Sequence, residues 1–284
     1  MALAAALLAG HSADAGARQA VNVLYAGSLV NLMEHGMGPA FDAASGDRML
    51  GFAGGSKQLA REITGKLREA DVFVSANPRV NGRLMGPAHG AWVSWYISFA
   101  QSPLVIGYNP ASRFAADFKT EPWYRVLLEP GVRIGRTDPQ LDPKGALTLQ
   151  LMRRAAVLYK MPDLARRVLG KPDNPAQVLP EESLIGRLQT GLIDVGFFYS
   201  TETTAAAIPA IELPEAITPQ AVYTITIVRG APHPRAAERF VEFMLGAAGR
   251  RILERYGLNV RKPALAGDAA AAPPRIRSLL KAVR

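Results

Sequence analysis

The stretch VNVLYAGSL, residues 21–29, indicates the fold class of this chain. Apart from Asn22, its first five residues are β-branched or large and apolar and predict a buried strand, whereas Gly27 and Ser28 predict the start of a helix directly after it. Further strand-like runs lie at residues 71–74, 104–108, 193–199 and 223–228. Helical periodicity fills the intervals, and the longest helix is predicted over 234–256. This alternation predicts an α/β fold with mainly parallel sheets flanked by helices.

The composition is that of a globular protein and excludes several kinds of site. A length of 284 residues suggests two domains or one large one, and 49% hydrophobic with 20% charged residues excludes disordered, collagenous and coiled-coil chains. The absence of cysteine excludes disulfides, thiolate metal sites, iron–sulfur clusters and a lipid-modified cysteine anchor. The four histidines include no helical i, i+4 pair, so we expect neither a metal centre nor a cofactor.

The basic charge of the chain is concentrated at its C-terminus. The net charge is +9, and residues 275–284 contain four basic residues and no acidic one. The remaining excess of positive charge is spread along the chain. It forms no basic stripe, and the sequence has no helix-turn-helix signature, so we do not expect nucleic-acid binding. An Ala- and Pro-rich stretch at 263–274 predicts a surface loop before this tail.

The first residues are typical of an incomplete export signal. Residues 2–10 are apolar, and Ala13 and Ala15 have the small-x-small spacing that a signal peptidase accepts, although a basic segment is missing. We therefore expect residues 1–15 to be a signal; the alternative is a frayed, Ala-rich N-terminus. No other apolar run is long enough to span a bilayer, so a soluble protein outside the cytoplasm, periplasmic and without a lipid anchor, is predicted.

Three predicted helix starts are typical of anion sites. Gly27-Ser28 follows the first strand, Gly55-Ser56 opens a second helix, and Asp142 is a capping residue before Pro143. Each start presents free backbone N–H groups and the positive end of a helix dipole, which together favour a bound anion. Each one alone is better explained as a routine capped helix, and only the three together favour a ligand site.

Two lysines strengthen the anion hypothesis. Lys57 and Lys144 lie in the first turns of their helices, where a cation is unfavourable to the helix dipole. A bound anion would make a cation at these positions favourable. If exposed, both ammonium groups would also attract the anion at longer range, an attraction that salt weakens.

Ser28 also permits an enzymatic hypothesis, in which it is the nucleophile of an esterase. The surrounding residues Ala26-Gly27-Ser28-Leu29 lack the G-x-S-x-G pattern of a nucleophile elbow, and no partner base is evident. We therefore expect the protein not to be an enzyme. Turnover of an activated ester that is lost in Ser28→Ala would separate the two hypotheses.

Several short segments follow one another in a recognisable order between residues 20 and 262. They are AGSL at 26–29, GGS at 54–56, ADVFVSA at 70–76, DPQLDPKG at 138–145, GLIDVGFFYS at 191–200, and AERFVEFML and RILERYGL within 237–258. In this order the chain resembles the substrate-binding proteins of molybdate/tungstate ABC importers. The aspartate–proline segment is most similar to the tungstate-preferring branch.

The resemblance implies a two-lobed periplasmic binding protein of type II whose ligand lies in the cleft between the lobes. Lobe I would comprise residues 20–103 and 231–284, and lobe II residues 104–230. The implied protein is a monomer that delivers molybdate or tungstate to a membrane ABC permease. Sulfate, thiosulfate or phosphate remains an alternative anion.

The resemblance also implies which residues bind the oxyanion. Ser28 and Ser56, with the backbone at Gly27 and Gly55, would bind from lobe I. Asp142, Tyr199 and the amides near Lys144 would face them from lobe II.

The chain departs from the tungstate branch at two places. Phe198 stands where that branch has a glutamate ligand to the metal, and Ala146-Leu147 stands where it has Tyr-Arg. With one carboxylate lost, we expect a four-coordinate oxyanion held by hydrogen bonds. Asp142 is then expected to cap its helix, and a direct bond from Asp142 to the metal is the alternative.

Overall fold

The computed structural model of the chain describes residues 19–282. The predicted export signal at 1–15 lies outside these residues. Within them the strands are β1 (Ala20–Ala26), β2 (Arg48–Gly54), β3 (Val72–Ser75), β4 (Trp95–Tyr108), β5 (Ile134–Gly135), β6 (Val195–Tyr199), β7 (Ala210–Ile211), β8 (Gln220–Ile227) and β9 (Asn259–Gly267).

The α-helices of the same residues are α1 (Val30–Leu32), α2 (Gly38–Ser45), α3 (Ser56–Thr64), α4 (Pro78–Leu84), α5 (Asp117–Thr120), α6 (Trp123–Val126), α7 (Pro143–Leu158), α8 (Leu164–Leu169), α9 (Leu184–Gln189), α10 (Ser200–Ala205), α11 (Pro234–Leu245), α12 (Ala247–Arg255) and α13 (Pro274–Ala282). None of them combines the length and the apolar composition that a membrane-crossing helix needs.

The strands form a mixed sheet in the order β2-β1-β3-β8-β4-β6-β5, and β7 and β9 also pair with β4. Parallel pairs lie toward both ends of this order, where β1 pairs with β2 and β3, and β5 pairs with β6. The central strands β4 and β8 pair antiparallel with their neighbours. The α/β class is confirmed, and the sheet differs from the predicted mainly parallel arrangement because each of these two long strands runs antiparallel to the strands beside it, including the other of the two.

The 14-residue strand β4 connects the two parts of the sheet. Residues 97–103 pair with β8 and residues 95–101 pair with β9, both across a bulge between Ser98 and Ala100, whereas residues 104–108 pair with β6. The sequence predicts only the second of these segments. The strand β8 pairs with both β3 and the first segment of β4. The lobe boundaries stay a prediction.

The core explains why these elements form. β1 is buried along most of its length because helices cover both faces of the sheet, which is why its sequence is a continuous apolar run. α11 buries Phe240 and Met244, one helical turn apart, and the Phe240 ring meets Phe41 of α2 edge-on with 5.1 Å between centroids.

The C-terminal region differs from the prediction in two respects. The helix predicted over 234–256 is broken at Gly246, whose backbone is extended and separates α11 from α12. The tight turn also needs Gly249, since a Cβ there would lie 2.3 Å from the Met244 carbonyl oxygen. The loop predicted at 263–274 is wrong in its first part, because residues up to Gly267 belong to β9 and pair with β4.

Candidate functional site

Tyr223 of β8 joins the end of β1 to the end of β6. Its hydroxyl donates to Ser28 Oγ at 3.1 Å, and its ring lies edge-on to the Tyr199 ring at 6.1 Å between centroids. Ser28 lies in a short 3-10 helix, Gly27–Leu29, that continues from β1. Two residues predicted to bind the ligand from different lobes are therefore close together.

The start of α3 meets the start of α7 in the same region. Gly55 precedes α3, and a Cβ at Gly55 would lie 2.6 Å from the Leu141 carbonyl oxygen and 3.2 Å from Asp142 Cβ, so only glycine permits this approach. Ser56, the first residue of α3, is fully buried, and its Oγ accepts a hydrogen bond from Ala76 N at 3.1 Å. Because each serine oxygen already accepts one internal bond, each hydroxyl hydrogen is free to donate to a ligand.

Asp142 is buried and uses one of its two oxygens. Oδ1 accepts from Thr137 Oγ1 and from Lys144 N, both at 2.8 Å, so the predicted capping of α7 is confirmed. Oδ2 is buried and accepts no hydrogen bond from the residues that the structure describes. Capping and a bond to a ligand are therefore compatible roles, because they use different oxygens.

Glu181 is a second buried carboxylate with an unused oxygen, and sequence analysis missed it. Oε2 accepts from Gly27 N at 2.8 Å, which joins the 3-10 helix Glu181–Ser183 to the end of β1. Oε1 has no hydrogen-bond partner and lies 3.5 Å from Lys144 Nζ. Burial, and after it the Asp142 carboxylate, raise the pKa of Glu181 well above its usual value.

Lys144 is fully buried, which corrects its interpretation as an exposed cation acting at long range. Its ammonium donates to both oxygens of Glu202, at 2.7 and 2.9 Å. Burial lowers the pKa of Lys144, but Glu202, Glu181 and Asp142 together outweigh it and raise the pKa, so the ammonium stays charged. A cation in the first turn of α7 is therefore explained by an internal carboxylate, without a bound anion.

Tyr199 supplies a buried hydroxyl without a partner. Its backbone N–H donates to Glu202 Oε2 at 2.7 Å, which fixes the turn from β6 into α10. Burial, and after it the Asp142 carboxylate, raise the pKa of the Tyr199 phenol well above its usual value, so the phenol keeps its proton. Its Oη has no hydrogen-bond partner and is available as a donor.

The position of Lys57 in the first turn of α3 is also explained by contacts within the chain. Its Nζ donates to the Pro139 carbonyl at 2.6 Å, and the backbone N–H of Gln58 donates to the Leu141 carbonyl at 3.0 Å. The segment 139–141 thus caps the first turn of α3, and the argument that Lys57 needs a bound anion is wrong.

Phe198 lies at the apolar border of these polar groups, with its ring centroid 5.7 Å from Lys144 Nζ. Its side chain packs in an apolar cluster with Val105, Leu184 and Leu188, because alternate residues of β6 face opposite sides of the sheet. Phe198 supplies no ligand atom, but a second buried carboxylate, Glu181, reaches this cluster from another segment.

The hydrogen bond made by Ser28 bears on the esterase hypothesis. The partner of Ser28 Oγ among the described residues is the Tyr223 phenol, whose pKa burial raises well above its usual value. A phenol that keeps its proton cannot act as the general base that a serine nucleophile needs. Among the same residues, no group of three or more His, Cys, Asp or Glu side chains is arranged to hold a metal ion.

Comparison with known proteins identifies the family. A family model described as "Bacterial extracellular solute-binding protein" matches residues 21–259. A putative ABC transporter molybdenum-binding protein of Haloferax volcanii is 31% identical over 264 residues, covering 85% of this chain and 82% of that protein. The molybdate/tungstate-binding protein WtpA of Thermococcus kodakarensis is 24% identical over 277 residues, covering 81% and 77%. The predicted resemblance is confirmed.

A solved structure supports the fold. The periplasmic molybdate-binding protein of Azotobacter vinelandii superposes with a TM-score of 0.67, covering 85% of this chain and 99% of that one at 20% identity. The predicted fold of a type II periplasmic binding protein is thereby confirmed.

Proposed function

The chain belongs to the bacterial extracellular solute-binding protein family, and from this premise we propose that it captures molybdate or tungstate and delivers it to a membrane ABC permease. The relatives named for molybdenum, or for molybdate and tungstate, support this ligand class. The proposed location is the periplasm, and the proposed working state is a monomer.

The observation that carries the proposal is a pair of buried carboxylates, each with one unused oxygen. Among the described residues no donor bonds to Asp142 Oδ2 or Glu181 Oε1, and the two carboxyl groups are close enough for Asp142 to raise the pKa of Glu181 through its charge and through a side-chain hydrogen bond. Two such oxygens repel a simple anion but can bind the metal at the centre of molybdate or tungstate. A ligand whose central atom accepts further oxygens suits both carboxylates.

This pair changes the proposed coordination. The sequence predicts a four-coordinate metal because it indicates only one carboxylate that could be a ligand. With Asp142 and Glu181 both available, we propose six oxygens around the metal, four from the oxyanion and one from each carboxylate. The metal then compensates the carboxylate charge that burial would otherwise make costly.

Neutral donors complete the proposed site. Ser28, Ser56 and Tyr199 each have a hydroxyl hydrogen free for the oxo groups. Gly27 N–H already donates to Glu181, so in this proposal Gly27 positions the carboxylate. Gly55 permits the close approach of the two helix starts, and Lys144 supplies the buried positive charge.

The same arrangement disfavours sulfate, thiosulfate and phosphate. Sulfur and phosphorus in these anions do not take carboxylate oxygens as additional ligands, so Asp142 and Glu181 would face the ligand as unpaired like charges. Such contacts cost binding free energy and provide discrimination by repulsion.

Calorimetric titration tests the function. Residues 19–284 are titrated with molybdate, tungstate, sulfate, thiosulfate and phosphate at neutral pH. We expect dissociation constants in the nanomolar range for the first two, about −12 kcal/mol, and no measurable binding of sulfate. Binding of sulfate or phosphate with the same affinity would contradict the proposed ligand, and ester hydrolysis abolished in Ser28→Ala would favour the enzymatic alternative.

A further inference from the structure

A groove of about 350 Å³ adjoins the candidate site where α3 and α4 face residues 140–146. Four cations line it: Lys57 and Arg61 from α3, and Arg79 and Arg83 from α4. The described residues that line this groove include no carboxylate. We call it the cationic groove.

Two residues that line the cationic groove are chain neighbours of candidate-site residues. Lys57 of the groove follows Ser56 of the site, and Pro143 of the groove lies between Asp142 and Lys144. Asp142 acts on the ammonium of Lys57, although burial of that ammonium is stronger and keeps the pKa of Lys57 below its usual value. A ligand in the groove is therefore close to the oxygens of the site.

The cations of the groove are not neutralised by internal partners. Lys57 and Arg61 donate to the carbonyl oxygens of Pro139 and Gln140, which are neutral groups. In the part of the chain that the structure describes, no ion pair involves Arg79 or Arg83. Like charges gathered in one groove repel each other, so an anion placed among them gains attraction from all four.

The candidate site, called the inner site below, contains more negative than positive side chains, in contrast to the cationic groove. The carboxylates of Asp142, Glu181 and Glu202 are all buried there, and the Lys144 ammonium forms ion pairs with Glu181 and Glu202. A dianion approaching from solvent meets this acidic cluster before any bond to its metal forms. Rapid capture therefore needs attraction from outside the cluster.

We propose that the cationic groove is an encounter site for divalent oxyanions, which are held there in hydrated form before they pass to the inner carboxylates. This inference rests on the proposed function. Because the groove acts before the bonds of the inner site form, it raises the association rate and leaves the dissociation rate of the final complex unchanged.

Stopped-flow kinetics with molybdate tests the encounter site. The variant is Arg79→Gln/Arg83→Gln, whose side chains are exposed on α4, so folding is retained and is checked by thermal unfolding. We expect its association rate constant to fall about tenfold at an ionic strength of about 0.02 M, with an unchanged dissociation rate. The difference should disappear near 0.5 M salt, where screening acts within about 5 Å.

Two further variants separate local from general effects. Arg79→Lys/Arg83→Lys keeps both charges and should associate as fast as the unaltered chain. Arg153→Gln/Arg154→Gln removes the same charge from exposed positions of α7 outside the groove and should change the rate less than twofold.

The outcomes distinguish this inference from the proposed function. An association rate that is unchanged in Arg79→Gln/Arg83→Gln, or reduced equally in Arg153→Gln/Arg154→Gln, overturns the encounter site while the affinity of the unaltered chain still supports the function. A faster dissociation at constant association rate also overturns it, because the arginines would then hold the final complex. Failure of the unaltered chain to bind molybdate or tungstate overturns both.

Discussion

Asp71 and the pair formed by Asp142 and Glu181 are buried carboxylates that differ in how their oxygens are used. Asp71 Oδ1 accepts from His233 N at 2.6 Å, and Oδ2 accepts from Asn22 N at 2.7 Å, with His233 Nδ1 3.0 Å away. Asp142 and Glu181 each leave one buried oxygen without a partner.

This difference separates a structural carboxylate from one kept for a ligand. A fully bonded carboxylate such as Asp71 stabilises the junction between β1, β3 and the start of α11. An unused buried oxygen costs stability and persists where function requires it. Substitutions at the two places should therefore change different properties of the protein.

The largest expected effect follows from removing both unused oxygens in Asp142→Asn/Glu181→Gln. The amide introduced at position 142 can still cap α7 through its side-chain oxygen, but neither new amide replaces a carboxylate on the metal. We expect molybdate affinity to fall by roughly 5 kcal/mol, several thousandfold, in calorimetric titration. The melting temperature without ligand should not decrease, because two costly buried charges are removed. Affinity within tenfold of the unaltered chain would show that the carboxylates are not ligands.

A smaller effect on affinity is expected for Ser28→Ala/Ser56→Ala. Two bonds to a charged ligand are lost, so the affinity should fall by about 3 kcal/mol, more than a hundredfold. The structure adds a cost in stability that the sequence does not indicate, because Tyr223 Oη and Ala76 N lose their acceptors. The free energy of unfolding should fall by about 1 kcal/mol for each serine, measured by urea denaturation. Unchanged affinity with reduced stability would make both serines purely structural.

Asp71→Asn should reduce stability and leave molybdate affinity nearly unchanged, which is the opposite of the result expected for Asp142→Asn/Glu181→Gln. An amide cannot accept all the bonds that the carboxylate accepts, so the free energy of unfolding should fall by about 2 kcal/mol. Molybdate affinity should stay within about twofold, because these bonds are made outside the site. A large loss of affinity in this variant, at temperatures where it is fully folded, would remove the distinction between the two kinds of carboxylate.

The smallest effect concerns Asp194, a second structural carboxylate. Its oxygens accept from Arg133 at 2.8 and 2.9 Å and from Ser112 at 2.8 Å. Burial raises the pKa of Asp194, but these hydrogen bonds outweigh it and lower the pKa below its usual value. Its contribution to stability is therefore present at neutral pH and is lost as the pH falls through the lowered pKa.

Arg133→Gln tests this contribution. The Arg133 side chain is 55% exposed and screened by solvent, so less than about 1 kcal/mol of unfolding free energy should be lost at pH 7. The difference from the unaltered chain, measured by urea denaturation, should shrink as the pH falls through the lowered pKa of Asp194. A difference that grows in acid would contradict the assignment.

Local sequence signals predicted the parts of the site that depend on local structure. Gly27, Ser28, Gly55, Ser56 and Asp142 follow the rules for strand ends and helix caps, and these rules need only neighbouring residues. The structure brings their helix starts together, as the α/β pattern predicts.

The missed residues depend on contacts between distant segments. Glu181 and Glu202 are charged, and charged side chains are normally exposed, so nothing near Glu181 in the sequence indicates burial. Glu202 has one local signal, because it is the third residue of the helix after Tyr199 and bonds back to the Tyr199 N–H. The partners of Lys57 and Lys144 lie 82 and 58 residues away, so their roles follow only from the fold.

X-ray absorption spectroscopy of the molybdate-loaded protein tests the central claim most directly, namely that the unused oxygens of Asp142 and Glu181 bind the metal. The account predicts six oxygen neighbours around molybdenum, in a short shell of four oxo groups and a longer shell of two carboxylate oxygens, and four neighbours in Asp142→Asn/Glu181→Gln if that variant is loaded at high concentration. Four equal oxygens in the unaltered protein would contradict it.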